Sequence, residues 1–255
     1  MPSAFSTTNT QEADELNLIH SETITVPGIY RMSEKAYHAD PAPTPSLSRS
    51  IAQTLILESP RHAKAEHPRM AEMDEDEEED EKNSRVRDIG SAAHALLLRQ
   101  PTEIAVLDYK DFKTKAAKAE RTKAQNRGAI PLLVKDHKIA RKMVDVARAD
   151  LATNEHPAVR ALGVDDEQGN YLNEVTAAWI DPCGGNWARC RIDQLHITDE
   201  RITIIDYKTT EMSAEPSRVT RTIFSNEYHF QDAFYRRGIR QLFPEIDAHK
   251  KKLSF

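Results

Sequence analysis

An alternating stretch, residues 187–210, WARCRIDQLHITDERITIIDYKTT, leaves few folds open to this chain. It predicts two strands joined by a short polar turn. Arg189, Arg191 and Asp193 alternate with Cys190 and Ile192, a period of two. Ile202, Ile204 and Ile205 form a β-branched run that ends in Asp206-Tyr207-Lys208. In a strand, residues i and i+2 point the same way, so Asp206 and Lys208 share a face and Tyr207 takes the other. Asp193 closes the preceding strand and can sit beside them. Two carboxylates and one ammonium at the ends of neighbouring strands suit a hard divalent cation with a water held next to it. The same spacing suits a surface salt bridge on an edge strand equally well.

The flanking chain supplies the rest of a sheet. Residues 171–180, YLNEVTAAWI, predict the preceding strand, and Asp181-Pro182-Cys183-Gly184-Gly185-Asn186 is a strong turn signal. The strand at 187–193 then pairs back as a hairpin that carries Glu174. Val26 to Tyr30 predict a short strand or arm, and Pro41, Pro43 and Pro45 an extended connector. Ser46 or Ser48 can cap a helix to about Leu57, with Ile51, Leu55 and Ile56 as its apolar face and Pro60 beyond its end. Gly90 to Leu98 predict an apolar helix rich in small residues, with His94 its central titratable group. That histidine suits a hydrogen-bonded core position or a ligand position. Ile139, Met143, Val146, Ala147 and Leu151 fall at helical spacing and predict a core stripe over 135–153. A long helix is expected over 217–242, with a break near Asn226. It sets Tyr228, Gln231, Asp232 and Tyr235 on one face and Phe230 and Phe234 against the sheet.

The formal charge of -6 argues against nucleic acid, but the average is misleading. Residues 74–81 are eight consecutive acids. Without them, 33 of the 41 acids remain against 35 Lys+Arg, a net of +2. A block of like charge repels itself, so a disordered insertion is expected at about 66–84. Such a segment can also mimic DNA in a basic groove. Lys110, Lys113, Lys115, Lys118, Arg121, Lys123 and Arg127 form a basic stretch that suits a solvated helix face or a phosphate backbone. Residues 1–25 read as a flexible tail and 246–255 as a basic one. The two cysteines, Cys183 and Cys190, lack the spacing of a zinc site or a disulfide framework. With no signal peptide and no membrane-length apolar run, a soluble cytoplasmic protein is expected.

Taken in order, these pieces resemble the PDDEXK nuclease superfamily and, within it, the phage RecE-type exonucleases (exodeoxyribonuclease VIII). The resemblance rests on Gly28-Ile29-Tyr30 with Tyr37-His38, on Gly90-Ser91-Ala92-Ala93-His94, and on Glu174 before Trp179. It continues through Arg189-Cys190-Arg191-Ile192-Asp193, Ile205 to Thr210, and Tyr228 to Tyr235. It implies an α/β (mixed α+β), restriction-endonuclease-like fold: a central mixed sheet flanked by helices. It implies an Mg²⁺-dependent exodeoxyribonuclease, with Mn²⁺ as an alternative metal, that degrades linear double-stranded DNA from the 5′ end. The partners so implied are DNA ends, a single-strand annealing recombinase and further copies of the chain in a ring. The setting is phage or prophage recombination in a bacterial cytoplasm.

Position by position, the resemblance makes Asp193, Asp206 and the Tyr207 carbonyl metal ligands, completed by His94 and Glu174. Lys208 orients the attacking water and offsets phosphate charge, and Gln231 and Tyr228 hold a phosphate or order the site. Two features depart from the pattern. One is the acidic run. The other is a chain that stops soon after the Gln231 helix, where an edge strand and part of a ring interface are expected. A catalytically impaired DNA-binding remnant and an endonuclease are the competing readings.

Overall fold

The computed structural model describes residues 18–71, 81–168, 170–210, 213, 215–248 and 251–255. Its first half contains β1 (Leu18–His20), β2 (Gly28–Arg31), α1 (Glu34–His38), α2 (Arg49–Leu57), α3 (Pro60–Glu66), α4 (Glu81–Leu97), β3 (Ile104–Leu107), α5 (Lys115–Asn126), β4 (Ile130–Leu133) and α6 (Val134–Ala152). There follow α7 (Pro157–Arg160), β5 (Tyr171–Ile180), β6 (Trp187–Ile197), β7 (Arg201–Ile205), α8 (Pro216–Ser225), α9 (Tyr228–Leu242) and β8 (Lys252–Ser254).

The predicted hairpin is the centre of a six-stranded mixed sheet of order β1-β2-β5-β6-β7-β8. Its outer pairs, β1 with β2 and β7 with β8, are parallel, and the inner pairs are antiparallel. One face buries Val175, Ala177, Trp179, Cys190, Ile192, Leu195, Ile202 and Ile204 against Tyr235 and Ile239 of α9. Gly238 is what lets α9 lie this close: a β-carbon there would fall 2.5 Å from Trp179. The opposite face packs Tyr30, Ala178 and Trp187 with Tyr37 of α1. Beside it, α4 and α6 share a core with Leu132 of β4 and the Tyr207 ring. The expected mixed sheet with a helical layer on each face is the fold observed.

Several local expectations need correction. The tail read over residues 1–25 contains β1 from Leu18 and a fully buried Ile24, so order begins earlier; residues 1–17 lie outside the described set. Most of the acidic insertion, residues 72–80, also lies outside it, while its edges belong to α3 and α4. The helix expected from Gly90 starts at Glu81. In α6 the buried apolar side chains are Ala140 and Val144; of the predicted stripe, Met143, Ala147 and Leu151 pack on the core, whereas Ile139 and Val146 face solvent. The core there admits small residues because α4, itself rich in alanine, lies close. In α2, Ile51 and Ala52 are buried and Leu55 and Ile56 are exposed. The long C-terminal helix does break at Asn226, into α8 and α9.

The basic tail expected over 246–255 supplies strand β8, in parallel register with Arg201 to Thr203 of β7. It forms the edge of the sheet beyond β7. Within the basic stretch, Arg121 pairs with Asp88 and lies over the Phe112 ring, and Arg127 pairs with Glu103. Lys113, Lys115, Lys118 and Lys123 remain exposed.

Candidate active site

A double kink in the hairpin makes the site. On β5, Val175, Ala177 and Trp179 face α9, and so does Leu172, three residues before Val175. On β6, Ala188, Cys190 and Ile192 share that face with Leu195. Strict alternation would put Leu172 and Leu195 on the opposite side. The pairing does not slip, since Asn173↔Gln194 and Val175↔Ile192 keep one register. The reversal falls at the residues between, Glu174 and Asp193, and Glu174 has φ +54°, in the left-handed region. Both carboxylates therefore face α4 side by side, at a gap in the ladder.

His94 reaches them from α4. Its Nε2 lies 3.1 Å from Asp193 Oδ2 and its Nδ1 3.6 Å from Glu174 Oε1. One ligand atom from each of His94, Glu174 and Asp193 falls within 4.8 Å of the others. Asp193 Oδ2 also accepts the Tyr207 amide at 2.6 Å. That side-chain bond replaces the next ladder rung, so β7 ends at Ile205 and does not run on to Lys208 as the sequence predicts. The released segment 206–210 approaches α4 at Gly90, where a β-carbon would fall 2.8 Å from Thr209 Oγ1.

Asp206 anchors the second half of the site. Lys208 Nζ lies 2.6 Å from Asp206 Oδ2, although the strand geometry from which the sequence predicts this pairing ends at Ile205. Gln231 Nε2 of α9 donates to Asp206 Oδ1 at 2.7 Å. The Lys208 ammonium stands 5.5 Å from the centre of the Tyr228 ring, a cation–π distance. The predicted side chains thus fall into two groups, His94, Glu174 and Asp193 in one and Asp206, Lys208, Gln231 and Tyr228 in the other, joined through the Asp193–Tyr207 hydrogen bond. Asp206, expected as a ligand beside Asp193, is not in the group of ligand atoms that His94, Glu174 and Asp193 form. Tyr207 contributes its amide.

The charges in this cluster press on one another. Burial pulls the His94 imidazolium down, but its hydrogen bond to Asp193 and the charges of Asp193, Glu174 and Asp206 outweigh that and raise its pKa. Burial raises Glu174 despite Arg191. Burial and then the Asp193 charge raise Asp206, against the pull of Lys208 and Gln231. Three carboxylates, Glu174, Asp193 and Asp206, are thus crowded in a partly buried cleft, each paired with one cation, Arg191, His94 and Lys208 in turn, and shifted groups of this kind mark a candidate functional site. Glu174 Oε1 is buried with no hydrogen-bond partner among the described residues and only the His94 ring at 3.6 Å beside it, which fits an oxygen able to ligate a cation.

Arg191 is the neighbour to which no role was attached. Its Nε donates to Glu174 Oε2 at 2.6 Å. The signal was its i, i+2 relation to Asp193, which places both side chains on one face. Arg189, two residues earlier, turns out to be structural: it is buried on Asp40 Oδ1 at 2.8 Å and on the Tyr37 carbonyl at 3.2 Å. A groove of about 720 Å³ opens from His94, Glu174 and Asp193 toward Ser91, Gln100 and Thr102. No helix among the described residues is long and apolar enough to cross a membrane.

No curated protein matches the chain. A family model described as the PD-(D/E)XK nuclease superfamily matches residues 47–252, from the connector before α2 into β8. That span takes in every side chain of the cluster, and so this chain belongs to the PD-(D/E)XK nuclease superfamily.

Proposed function

We propose that this protein is a divalent-cation-dependent exodeoxyribonuclease that degrades linear double-stranded DNA from its 5′ end. The observation that carries the reading is the cluster of ligand atoms from His94, Glu174 and Asp193, in which the buried Glu174 Oε1 accepts no hydrogen bond among the described residues. Its donor set is two carboxylates and an imidazole, with Asp206 adjacent, and the Tyr207 carbonyl is proposed to join it. Oxygen-rich sets of this kind suit Mg²⁺, and the imidazole also admits Mn²⁺. A divalent ion there offsets charge developing on the phosphate and acidifies the water that attacks it.

The chain's own groups supply the rest. Lys208, paired to Asp206 and partly exposed, is the group proposed to hold a phosphate oxygen or the attacking water. Beside a carboxylate it acts as a cation that holds and stabilises, not as a free base. Gln231 and Tyr228 hold Asp206 and Lys208 in place from α9. The exposed lysines of α5 suit a phosphate backbone running away from the site. The proposal extends to recombination of the phage type, in a bacterial cytoplasm, with an annealing recombinase and further copies of this chain as partners. It draws on the Arg189-to-Asp193 and Tyr228-to-Tyr235 motifs.

The test uses linear, 5′-end-labelled and closed circular DNA, each with Mg²⁺ or with EDTA. Mg²⁺-dependent loss of linear DNA alone, with the 5′ label released first, is the expected result. A cut circle would instead identify an endonuclease, and a gel shift without cleavage an impaired DNA-binding remnant. Lys208→Ala should lower cleavage by ~10²-fold or more while leaving DNA binding largely intact.

A further inference from the structure

Arg191 is held on three sides. Its Nε donates to Glu174 Oε2 at 2.6 Å, and its Nη1 donates to the Met32 carbonyl at 3.3 Å. Its own carbonyl accepts the Tyr235 hydroxyl at 2.8 Å, which ties it to α9. The group it grips is the one that most needs gripping. Glu174 sits at φ +54°, a backbone region that disfavours a side chain with a β-carbon. Its carboxylate is mostly buried, with 13% of the side chain exposed. One carboxylate oxygen is taken by Arg191, and the other accepts no hydrogen bond among the described residues and is turned to His94 at 3.6 Å.

We propose that Arg191 is a positioning residue for the cation site: it fixes Glu174 by one oxygen so that the other is presented to the cation. The proposal rests on the divalent-cation reading above. It assigns Arg191 neither to DNA nor to the reacting atoms. Two simpler roles make different predictions. An arginine this close to a cation repels it, so if charge were all that mattered, neutralising Arg191 would tighten cation binding. An arginine that binds a DNA phosphate would raise the KM for DNA and leave cation affinity alone. A positioning arginine gives the opposite sign from the first and a different readout from the second: weaker cation binding with no DNA present.

The experiment is calorimetric titration of MgCl₂ and MnCl₂ into the full chain without DNA, for wild type, Arg191→Gln and Arg191→Lys. Cleavage is then measured at rising metal concentration. Arg191→Gln should weaken cation binding about 10-fold or more, as loss of a group that orients a ligand does. Its cleavage should recover as metal is raised. Arg191→Lys, which keeps the charge but not the guanidinium geometry, should fall between the two. A variant Kd equal to or tighter than wild type overturns the proposal, as does a cleavage loss that metal does not recover. If Arg191→Gln does not fold, Arg191→Lys decides, and a wild-type Kd in it is the overturning result. A wild-type protein that takes up no cation removes the parent reading instead, which separates the two failures.

Discussion

Asp206 shows how the site works against the fold that carries it. Burial and the Asp193 charge hold its carboxyl above the usual range, although Lys208 and Gln231 pull the other way. A carboxyl whose folded pKa is raised binds its proton more tightly in the native state. Its penalty is absent below the unfolded pKa of ~4 and develops as pH rises through the folded value. At neutral pH the metal-free protein therefore loses stability to Asp206 and, by the same sign, to Glu174. Asp206→Asn keeps an acceptor for Gln231, and Lys208, 39% exposed, can turn to water. The melting temperature of metal-free Asp206→Asn should exceed that of wild type at neutral pH, by about 2–4 °C for each kcal/mol relieved. The gain should vanish near pH 4, while cleavage falls ~10²-fold or more. A lower melting temperature at neutral pH would show that the Asp206–Lys208 pair is net stabilising.

At the scale of elements, α9 matters twice, since it carries Gln231 to the site and seals the sheet with Tyr235 and Ile239. Its closest approach is Gly238 on Trp179. A β-carbon would stand 2.5–2.8 Å from three atoms of the indole, inside van der Waals contact, and Trp179 is fully buried. Neither partner can yield without shifting α9 or the ring. Gly238→Ala should therefore destabilise by about 1–3 kcal/mol, the usual cost of overpacking, despite alanine's better helix propensity. Urea unfolding of the two proteins measures it, and a stabilised variant would mean that α9 moves freely. The sequence made this helix legible through its i, i+3, i+4 spacing, and β5 and β6 through alternation and their turn. It did not reveal the double kink. Nothing in Asn173-Glu174-Val175 marks a left-handed glutamate, because glycine or asparagine is the residue type that signals that backbone. The stripe in α6 holds at Met143, Ala147 and Leu151, which pack on the core, and fails at two positions for a related reason. Large apolar residues drew the face toward Ile139 and Val146, whereas close packing with α4 selects Ala140 and Val144. The ordered motifs named the residues that cluster here, and the spacing of Arg191 and Asp193 puts both on one face, but the contact of Arg191 with Glu174 on the neighbouring strand is one that spacing along the chain does not display.

Across the whole molecule the sheet must end somewhere, and its two ends are finished differently. At one end β1 is a three-residue strand, and a short edge offers little template for another chain. At the other, β8 covers β7 over Arg201–Thr203, the end of the strand away from Asp206. The last residues close this edge. Leu253 pairs with Ile202, the Leu253 carbonyl accepts from Arg236 of α9 at 3.0 Å, and Ser254 Oγ accepts from Arg201 at 2.9 Å. Phe255 meets the Tyr235 ring edge-on at 5.9 Å between centroids. Lysine-rich sequence conceals this strand, because Lys250 to Lys252 read as a solvated tail and only Leu253 and Phe255 hint at burial. Removal of residues 251–255 should therefore do more than shorten a tail. It leaves the β7 edge unpaired and strips partners from Arg201, Arg236 and Tyr235, and Tyr235 in turn holds the Arg191 carbonyl. The truncated protein should melt lower than the full chain and self-associate through the opened edge, seen as a concentration-dependent rise in light scattering. It should also need more metal for cleavage, because the path from Phe255 through Tyr235 to Arg191 ends at Glu174. A truncated protein with unchanged melting, scattering and metal dependence would place β8 outside the support of the site and return these residues to the status of a tail.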